Sequence, residues 1–133
     1  MLPLKKALPY SRNIPAVKMI DALGGQDVAL PFLRGIGMES LSETGDYGYP
    51  LALGAGEIPM LELATAYSHL SADQPAKINP ILEIRARDES LLYEKEVEKE
   101  EQVVKPGVRY LIRQILSNIA NMPPGWANNY RIK

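Results

Sequence analysis

Apolar residues recur at helical spacing in four segments of the chain and alternate with polar residues in a fifth. In the first helical segment we expect Pro15 to be the first helical residue, because its fixed φ suits that position and its missing N–H is not needed there. Gly24-Gly25 supplies the positive φ that ends a helix. The apolar residues that predict its buried face, at i, i+3, i+4, i+7 spacing, are Ala16, Met19, Ile20 and Leu23.

A second helix is predicted from Asp27, a residue type that caps helix N-termini, to Gly35. Pro31 lies inside this range, so we expect the helix to be distorted or to begin later than Asp27. Residues 39–49 are rich in Ser, Thr, Gly and Asp and predict a loop.

A third helix is predicted to open at Pro59, after a turn made by Gly54 and Gly56. His69, the only histidine, has no Asp or Cys partner at metal-ligand spacing and is expected at the surface or at a helix end. The apolar stripe expected to face the core consists of Met60, Leu63, Ala64, Tyr67 and Leu70.

The pattern then changes from a helical period to a period of two. Apolar and charged side chains alternate over residues 82–87, which predicts a half-buried strand. Residues 88–90 are the predicted turn and residues 91–93 the returning strand. Because a two-stranded hairpin alone is marginal in water, we expect the rest of its sheet to lie outside this chain.

The last helix is predicted to start near Pro106 and to end at the Met-Pro-Pro-Gly of residues 122–125. The charged residues 94–101 before it are expected to be a solvated connector, and Trp126 is expected in the core. This helix has the clearest amphipathic stripe in the chain, made of Val108, Leu111, Ile112, Ile115, Leu116 and Ile119.

The charges nearly balance, since 15 Lys and Arg against 16 Asp and Glu give a net charge of -1. We therefore expect no nucleic-acid partner. The absence of cysteine excludes disulfides and thiolate metal sites, and no metal or cofactor is expected. Gly54-Ala55-Gly56 lacks the third glycine of a dinucleotide-binding loop. No apolar run approaches the ~20 residues that span a bilayer.

The tripeptide Ser11-Arg12-Asn13, followed by Ile-Pro-Ala-Val, is the most informative feature of the chain. A Ser-x-Asn triad ahead of a short helix is one of three motifs of penicillin-reactive serine acyltransferases, and the others are a Ser-x-x-Lys nucleophile motif and a Lys-Thr-Gly strand. No serine here has lysine three residues on, and the nearest match to Lys-Thr-Gly, Lys105-Pro106-Gly107, precedes a helix. The chain thus carries one motif of the three and no nucleophile.

Taken in order, these segments resemble the transpeptidase domain of class A penicillin-binding proteins, the bifunctional peptidoglycan synthases. The similarity covers about residues 4–128. Its most specific blocks are Ser-x-Asn-x-Pro-Ala-Val at residues 11–17 and Leu-Gly-x-Gly-Glu…Ala-x-Ala-Tyr at residues 53–67. The strand–turn–strand and the last helix follow in the family's order.

The resemblance implies an α+β fold, an incomplete penicillin-binding transpeptidase (β-lactamase-like) fold with several helices and a two-stranded antiparallel hairpin. Residues 1–77 would be the helical part with the Ser-x-Asn loop, and residues 78–133 the first two sheet strands and a helix packed on that sheet. Both ends of the chain are expected to be cuts. The implied parent carries a glycosyltransferase domain and a membrane anchor outside this chain, on the extracytoplasmic face of the bacterial cytoplasmic membrane.

The same resemblance implies a reaction and roles for two residues. The parent would crosslink peptidoglycan stem peptides ending in D-Ala-D-Ala by serine acyl transfer and would be acylated by β-lactams. Ser11 would relay a proton to the leaving D-alanine, since a hydroxyl both donates and accepts. Asn13 would hold the donor peptide's backbone, while Arg12 faces away in this pattern and has no predicted role.

Other interpretations stay open. Ser11 and Asn13 are also residue types that end one helix and cap the next, as expected of an unrelated helical domain. A non-catalytic, penicillin-binding-like scaffold or peptide-binding module is the second alternative. The chain departs from the family at Ile58, which offers no side-chain cap where Ser or Thr is usual, and a lost cap costs about 1 kcal/mol.

Overall fold

The computed structural model describes residues 2–75, 79–96 and 101–126. In these ranges the chain is a mixed α/β protein with five α-helices, two 3₁₀ helices and one two-stranded antiparallel sheet. The α-helices are α1 Leu4–Ala7, α2 Asn13–Ala22, α3 Gln26–Gly35, α4 Met60–Ser71 and α5 Pro106–Ser117. The 3₁₀ helices are η1 Tyr49–Leu53 and η2 Ile119–Asn121, and the strands are β1 Glu83–Arg85 and β2 Leu91–Glu94.

Helix α2 begins at Asn13, so the prediction that Pro15 is the first helical residue is wrong by two positions. Pro15 still lies in the first turn, where a backbone N–H has no intrahelical acceptor, and proline is therefore accommodated. Gly24 and Gly25 have φ of +101° and +83° and end the helix as predicted. Of the four residues predicted for its buried face, Ile20 alone is buried.

Helix α3 has Gly25 as its N-cap, not Asp27, which is the second helical residue. Gly25 adopts φ +83° and ψ -161°, a conformation that glycine alone takes freely, and this backbone geometry fixes where the helix starts. The helix continues through Pro31 to Gly35.

The predicted loop is confirmed up to Gly48, and α3 holds its end in place. Gln26 Oε1 accepts hydrogen bonds from the backbone N–H groups of Tyr47 at 2.7 Å and Gly48 at 2.6 Å. Gln26 Nε2 donates to the Gly45 carbonyl at 3.3 Å. These contacts fix the point at which the chain enters η1.

The core lies where α4 meets the segments after α3 and before α5. Buried Ile36, Ala66 and Val104 contact one another there. Gly37 approaches α4 so closely that a Cβ at this position would lie 2.7 Å from Thr65 Cγ2. A side chain at position 37 would therefore clash with Thr65 of α4.

The predicted core-facing stripe of α4 is wrong except at Leu70, which packs against this core. Met60 is 82% exposed and Tyr67 59% exposed, whereas Thr65, Ala66 and His69 are the buried residues of this helix. His69 lies in the last turn of α4, which agrees with the expected helix-end position, but it is 1% exposed, so the alternative of a surface position is wrong. The helix starts one residue after Pro59, which is its N-cap and, like Ile58, provides no side-chain cap.

Polar side chains join the end of α4 to α5. Gln102 Nε2 donates to the Ala72 carbonyl at 2.9 Å, and its Oε1 accepts from the Val104 N–H at 2.9 Å. Buried Arg109 donates to the Val104 carbonyl at 2.9 Å and pairs with Asp73 at 2.7 Å. These bonds fix the packing of α5 against α4.

The predicted hairpin is confirmed, with Glu83 opposite Glu94 and Ile84 opposite Tyr93, and an irregular register between Ile84 and Arg85. The prediction that the first strand is half-buried is wrong, since every residue of both strands is exposed. Nothing in the described part of the chain covers either face sufficiently to bury these side chains.

Helix α5 starts at Pro106 as predicted but ends at Ser117, before the predicted Met122. Its apolar stripe is largely exposed, with Leu111 at 60%, while Arg109 is buried. Trp126 is 49% exposed, so the expectation that it is a core residue is wrong. Residues 97–100 of the charged connector, Ile78 and residues 127–133 lie outside the described residues.

The chain exposes a large surface for its mass. Its accessible surface is 10339 Å², whereas a compact folded monomer of 14.7 kDa exposes about 6,900 Å². Within the described residues, no helix has the length and apolar character needed to cross a membrane.

Candidate functional site

The Ser-x-Asn tripeptide lines a cleft between α1, α2 and η1 with a volume of about 330 Å³. Its polar lining consists of Ser11, Arg12 and Asn13. The remaining lining residues are apolar, namely Leu4, Ala7, Leu8, Pro15, Ala16, Met19, Ala52 and Leu53.

A tight turn between α1 and α2 presents the tripeptide to this cleft. The Ser11 N–H donates to the Leu8 carbonyl at 3.0 Å, and the Arg12 N–H donates to the Ala7 carbonyl at 3.1 Å. Ser11 has φ +50°, in the left-handed region that residues with a Cβ seldom occupy. Asn13 follows directly as the first residue of α2.

The side chains of Ser11 and Asn13 are exposed, and neither makes a hydrogen bond to another of the described residues. The alternative that Ser11 and Asn13 end one helix and cap the next is not what the structure shows. The N-cap of α2 is Arg12, without a side-chain cap, and the C-cap of α1 is Leu8. Both polar groups are therefore open to a ligand in the cleft.

Arg12 also lines the cleft, contrary to the expectation that it faces away. Its guanidinium carbon lies 5.7 Å from the centroid of the Tyr10 ring, within the range of a cation–π interaction. The sequence indicated Arg12 only through its position between Ser11 and Asn13. Nothing in the sequence indicated Tyr10, because its contact with Arg12 depends on the turn between α1 and α2.

The opposite wall of the cleft belongs to η1, which packs against α2. Tyr49 Oη donates a hydrogen bond of 2.6 Å to Asp21 Oδ1 and so joins the two elements. This hydrogen bond, and then the negative charge of Asp21, raise the pKa of the Tyr49 phenol above its ordinary value of 10.0. The sequence pattern placed Leu53 beside a turn and did not indicate that it forms a wall.

A second, larger cleft of about 430 Å³ includes Asp27, Arg34 and Glu43. Its arginine is engaged internally, since Arg34 Nε lies 3.2 Å from Glu43 Oε1 and its Nη1 donates to the Leu41 carbonyl. Size alone does not make it the better site. Across the described ranges, no group of three His, Asp or Glu side chains is arranged to hold a metal ion.

Comparisons of the chain with models of known protein families, with curated proteins and with solved structures found no match. An apolar cleft with a hydroxyl, a carboxamide and a guanidinium at neighbouring positions is suited to binding a short peptide, with its backbone hydrogen-bonded and its small side chains on the apolar wall.

Proposed function

We propose that this chain is the central part of a peptidoglycan D,D-transpeptidase domain, which crosslinks stem peptides by serine acyl transfer and is acylated by β-lactams. The observation that carries the proposal is that Ser11 and Asn13 line one cleft with side chains that no other described residue engages. The order of the Ser-x-Asn block and the block at residues 53–67 supports it, because both blocks contribute to this cleft.

In this proposal Ser11 and Asn13 have different roles, which follow from their functional groups. The Ser11 hydroxyl relays a proton toward the leaving D-alanine, and the Asn13 amide pairs with a C=O and an N–H of the donor peptide. The nucleophile, its base and the oxyanion donors belong to other parts of the parent protein. The chain alone is inactive, because it has no Ser-x-x-Lys motif.

The proposed partners are the D-Ala-D-Ala stem peptide, β-lactams in the complete domain, and the remainder of the parent chain. The large exposed surface supports a chain that packs against further structure. The proposed location is the extracytoplasmic face of the bacterial cytoplasmic membrane, with the anchor outside this chain.

The test is covalent labelling by a fluorescent penicillin of the protein expressed from the complete reading frame that contains the chain. We expect labelling of that protein and none of residues 1–133 alone. Ser11→Ala should slow acylation by about 10²-fold or more, the size of a lost proton-transfer group. Ser117→Ala, an exposed serine at the end of α5, is the matched control and should label at the wild-type rate.

Two outcomes would remove the proposal. Labelling of residues 1–133 alone would mean that the nucleophile was misassigned. A complete reading frame without Ser-x-x-Lys and without labelling would leave the second candidate, a non-catalytic peptide-binding module, which the open and apolar cleft also favours.

A further inference from the structure

Two of the elements that form the cleft around Ser11, α2 and η1, supply its apolar walls. Helix α2 contributes Ala16 and Met19, and η1 contributes Ala52 and Leu53. The width of the cleft between these walls depends on what holds η1 against α2. The proposed reaction assigns no role to the groups that do so.

The carboxamide of Gln26 holds the start of η1. Its Oε1 accepts hydrogen bonds from the N–H groups of Tyr47 at 2.7 Å and Gly48 at 2.6 Å, and its Nε2 donates to the Gly45 carbonyl at 3.3 Å. Gly48 is the N-cap of η1, so one bond is made at the cap itself and another at the residue before it. A carboxamide is suited to this role, because its oxygen accepts two bonds while its nitrogen donates a third.

Gln26 is itself fixed relative to α2. Three residues separate the end of α2 from Gln26, the first residue of α3. In this connection the Gly24 N–H donates to the Asp21 carbonyl at 3.0 Å, and the Gly25 N–H donates to the Ile20 carbonyl at 2.8 Å. The carboxamide therefore has a defined position beside α2, and its bonds set where η1 begins.

A second contact between α2 and η1 is the hydrogen bond of 2.6 Å from Tyr49 Oη to Asp21 Oδ1. Both of these residues are exposed, so water competes for the bond and its net contribution is small. The Gln26 side chain is half-buried, and three bonds converge on it. Its loss should therefore displace η1 more than loss of the tyrosine contact.

We infer that Gln26 is a positioning residue for the cleft, which holds η1 at a fixed distance from α2. Gln26 is not among the residues that line the cleft, so it acts through η1. The apolar contacts of a bound ligand with Ala52 and Leu53 depend on this distance. The turn that carries Ser11 is held by its own backbone bonds. Loss of the Gln26 bonds should therefore weaken ligand binding more than it slows the reaction.

Hydrogen exchange at single-residue resolution, measured by mass spectrometry on the protein from the complete reading frame, tests the bonds directly. After correction for intrinsic rates, the wild-type Tyr47 and Gly48 amides should exchange at least about tenfold more slowly than the Asp46 amide. The Asp46 N–H has no acceptor among the described residues.

Two substitutions at this position separate hydrogen bonding from space filling. Gln26→Met keeps the length of the side chain without its polar groups, so it should remove the slow exchange of Tyr47 and Gly48. It should also speed exchange of the Gly54 amide, which is bonded to the last turn of η1. Gln26→Glu keeps an oxygen acceptor, and a negative charge is favourable in the first turn of a helix. This variant should retain the slow exchange.

The kinetics of acylation by a penicillin measure the effect on the cleft, and this readout rests on the proposed function. In Gln26→Met the dissociation constant of the initial non-covalent complex should rise about tenfold, while the acylation rate constant stays within about threefold of the wild type. Gln26→Glu should restore the dissociation constant. Gln114→Met, the same substitution at an exposed position of α5 outside the cleft lining, is the control and should change neither constant.

Equal exchange of the Tyr47, Gly48 and Asp46 amides in the wild type would overturn the inference, and this outcome does not require any variant to fold. A Gln26→Met protein that binds penicillin like the wild type, or that loses acylation rate and keeps its affinity, would overturn it as well. Absence of labelling in the wild type would defeat the proposed function alone, because faster exchange of Gly54 in Gln26→Met would still support the role of Gln26 in holding η1.

Discussion

At the scale of single residues, Gln102 makes the contact with the clearest energetic consequence. Its amide group bonds the Ala72 carbonyl and the Val104 N–H, both at 2.9 Å, and its Oε1 lies 3.4 Å from Nδ1 of buried His69. Truncating it leaves partly buried backbone groups without partners, and each such group costs about 1–3 kcal/mol.

We therefore predict that Gln102→Ala lowers the free energy of unfolding by about 1–3 kcal/mol, measured by urea denaturation. Gln114→Ala, on an exposed position of α5, is the control and should change it by less than about 0.5 kcal/mol. Equal effects of the two substitutions would show that the Gln102 bonds are not formed in solution.

Asp88 in the hairpin turn provides a prediction about pH. The Ser90 hydroxyl at 2.6 Å, and then the Ser90 N–H at 3.1 Å, donate to its carboxylate and lower its pKa below the ordinary 3.8. A carboxyl whose pKa is lower in the folded state stabilises the turn above its unfolded pKa, and this stabilisation is lost as the pH falls through the folded pKa.

Ser90→Ala removes the larger of these contributions, so the pKa of Asp88 should rise toward its ordinary value. An NMR titration of the side-chain carboxyl carbon measures this change, and Ser117→Ala should leave the pKa of Asp88 where it is in the wild type. A pKa that does not move in Ser90→Ala would show that the hydroxyl does not donate to Asp88.

At the scale of elements, two glycines two residues apart should respond in opposite ways to alanine. Gly35 ends α3 with open space where a Cβ would be, whereas Gly37 has φ +99° and its Cβ would lie 2.7 Å from Thr65 Cγ2. Thr65 cannot easily turn away, because it is β-branched and its hydroxyl donates to the Leu61 carbonyl at 3.0 Å.

Gly35→Ala should raise the free energy of unfolding by about 0.4–1 kcal/mol by restricting the unfolded chain. Gly37→Ala should lower it by more than about 1 kcal/mol, because strain of the backbone adds to the clash with α4. Chemical denaturation of both variants tests the pair, and a neutral Gly37→Ala would mean that α4 lies farther from this turn than described.

The elements themselves could be predicted well from local pattern, and their buried faces could not. Periodicity and the Gly and Pro signals located α2 to α5 and the hairpin to within a few residues, because these signals act through the local backbone. The α4 stripe failed because contacts with residues distant in sequence, Gly37 against Thr65 and Gln102 against His69, select which face of the helix is buried. Helix α1 has four residues, too few to show a period.

At the scale of the whole molecule, the exposed area leads to a calorimetric prediction. The accessible surface is 10339 Å². Folding therefore buries only about three quarters of the surface that a compact protein of this mass would bury. The heat-capacity change of unfolding depends on the surface that becomes exposed. For residues 1–133 it should therefore be about three quarters of the roughly 1.6–2.0 kcal/mol/K typical of this length.

Differential scanning calorimetry at several protein concentrations provides the measurement. A full-sized heat-capacity change at low concentration would show that the exposed apolar side chains are covered within the monomer. A value that increases with concentration would show that they are covered by self-association.

The candidate site could be predicted in part. Ser11 and Asn13 were found from a local motif, and the structure places both on one cleft. Arg12 and the η1 wall were missed because their positions depend on a turn and on a packing contact between α2 and η1, which are 27 to 40 residues apart in the sequence. The Asp73–Arg109 pair was missed for the same reason, since an ion pair across the fold has no sequence period.

The left-handed φ of +50° at Ser11 has a consequence for mutational scanning. Glycine and asparagine fit such a backbone best, whereas a β-branched residue fits it poorly. A library at position 11 selected for abundance of folded protein should be enriched in glycine and asparagine. Under the proposed transpeptidase function, the Ser11 hydroxyl relays a proton. We then expect the same library, selected for cell-wall crosslinking by the complete protein, to be depleted of glycine, which keeps the turn but lacks the hydroxyl. Sorting one population by both criteria would distinguish what the turn requires at this position from what the chemistry requires.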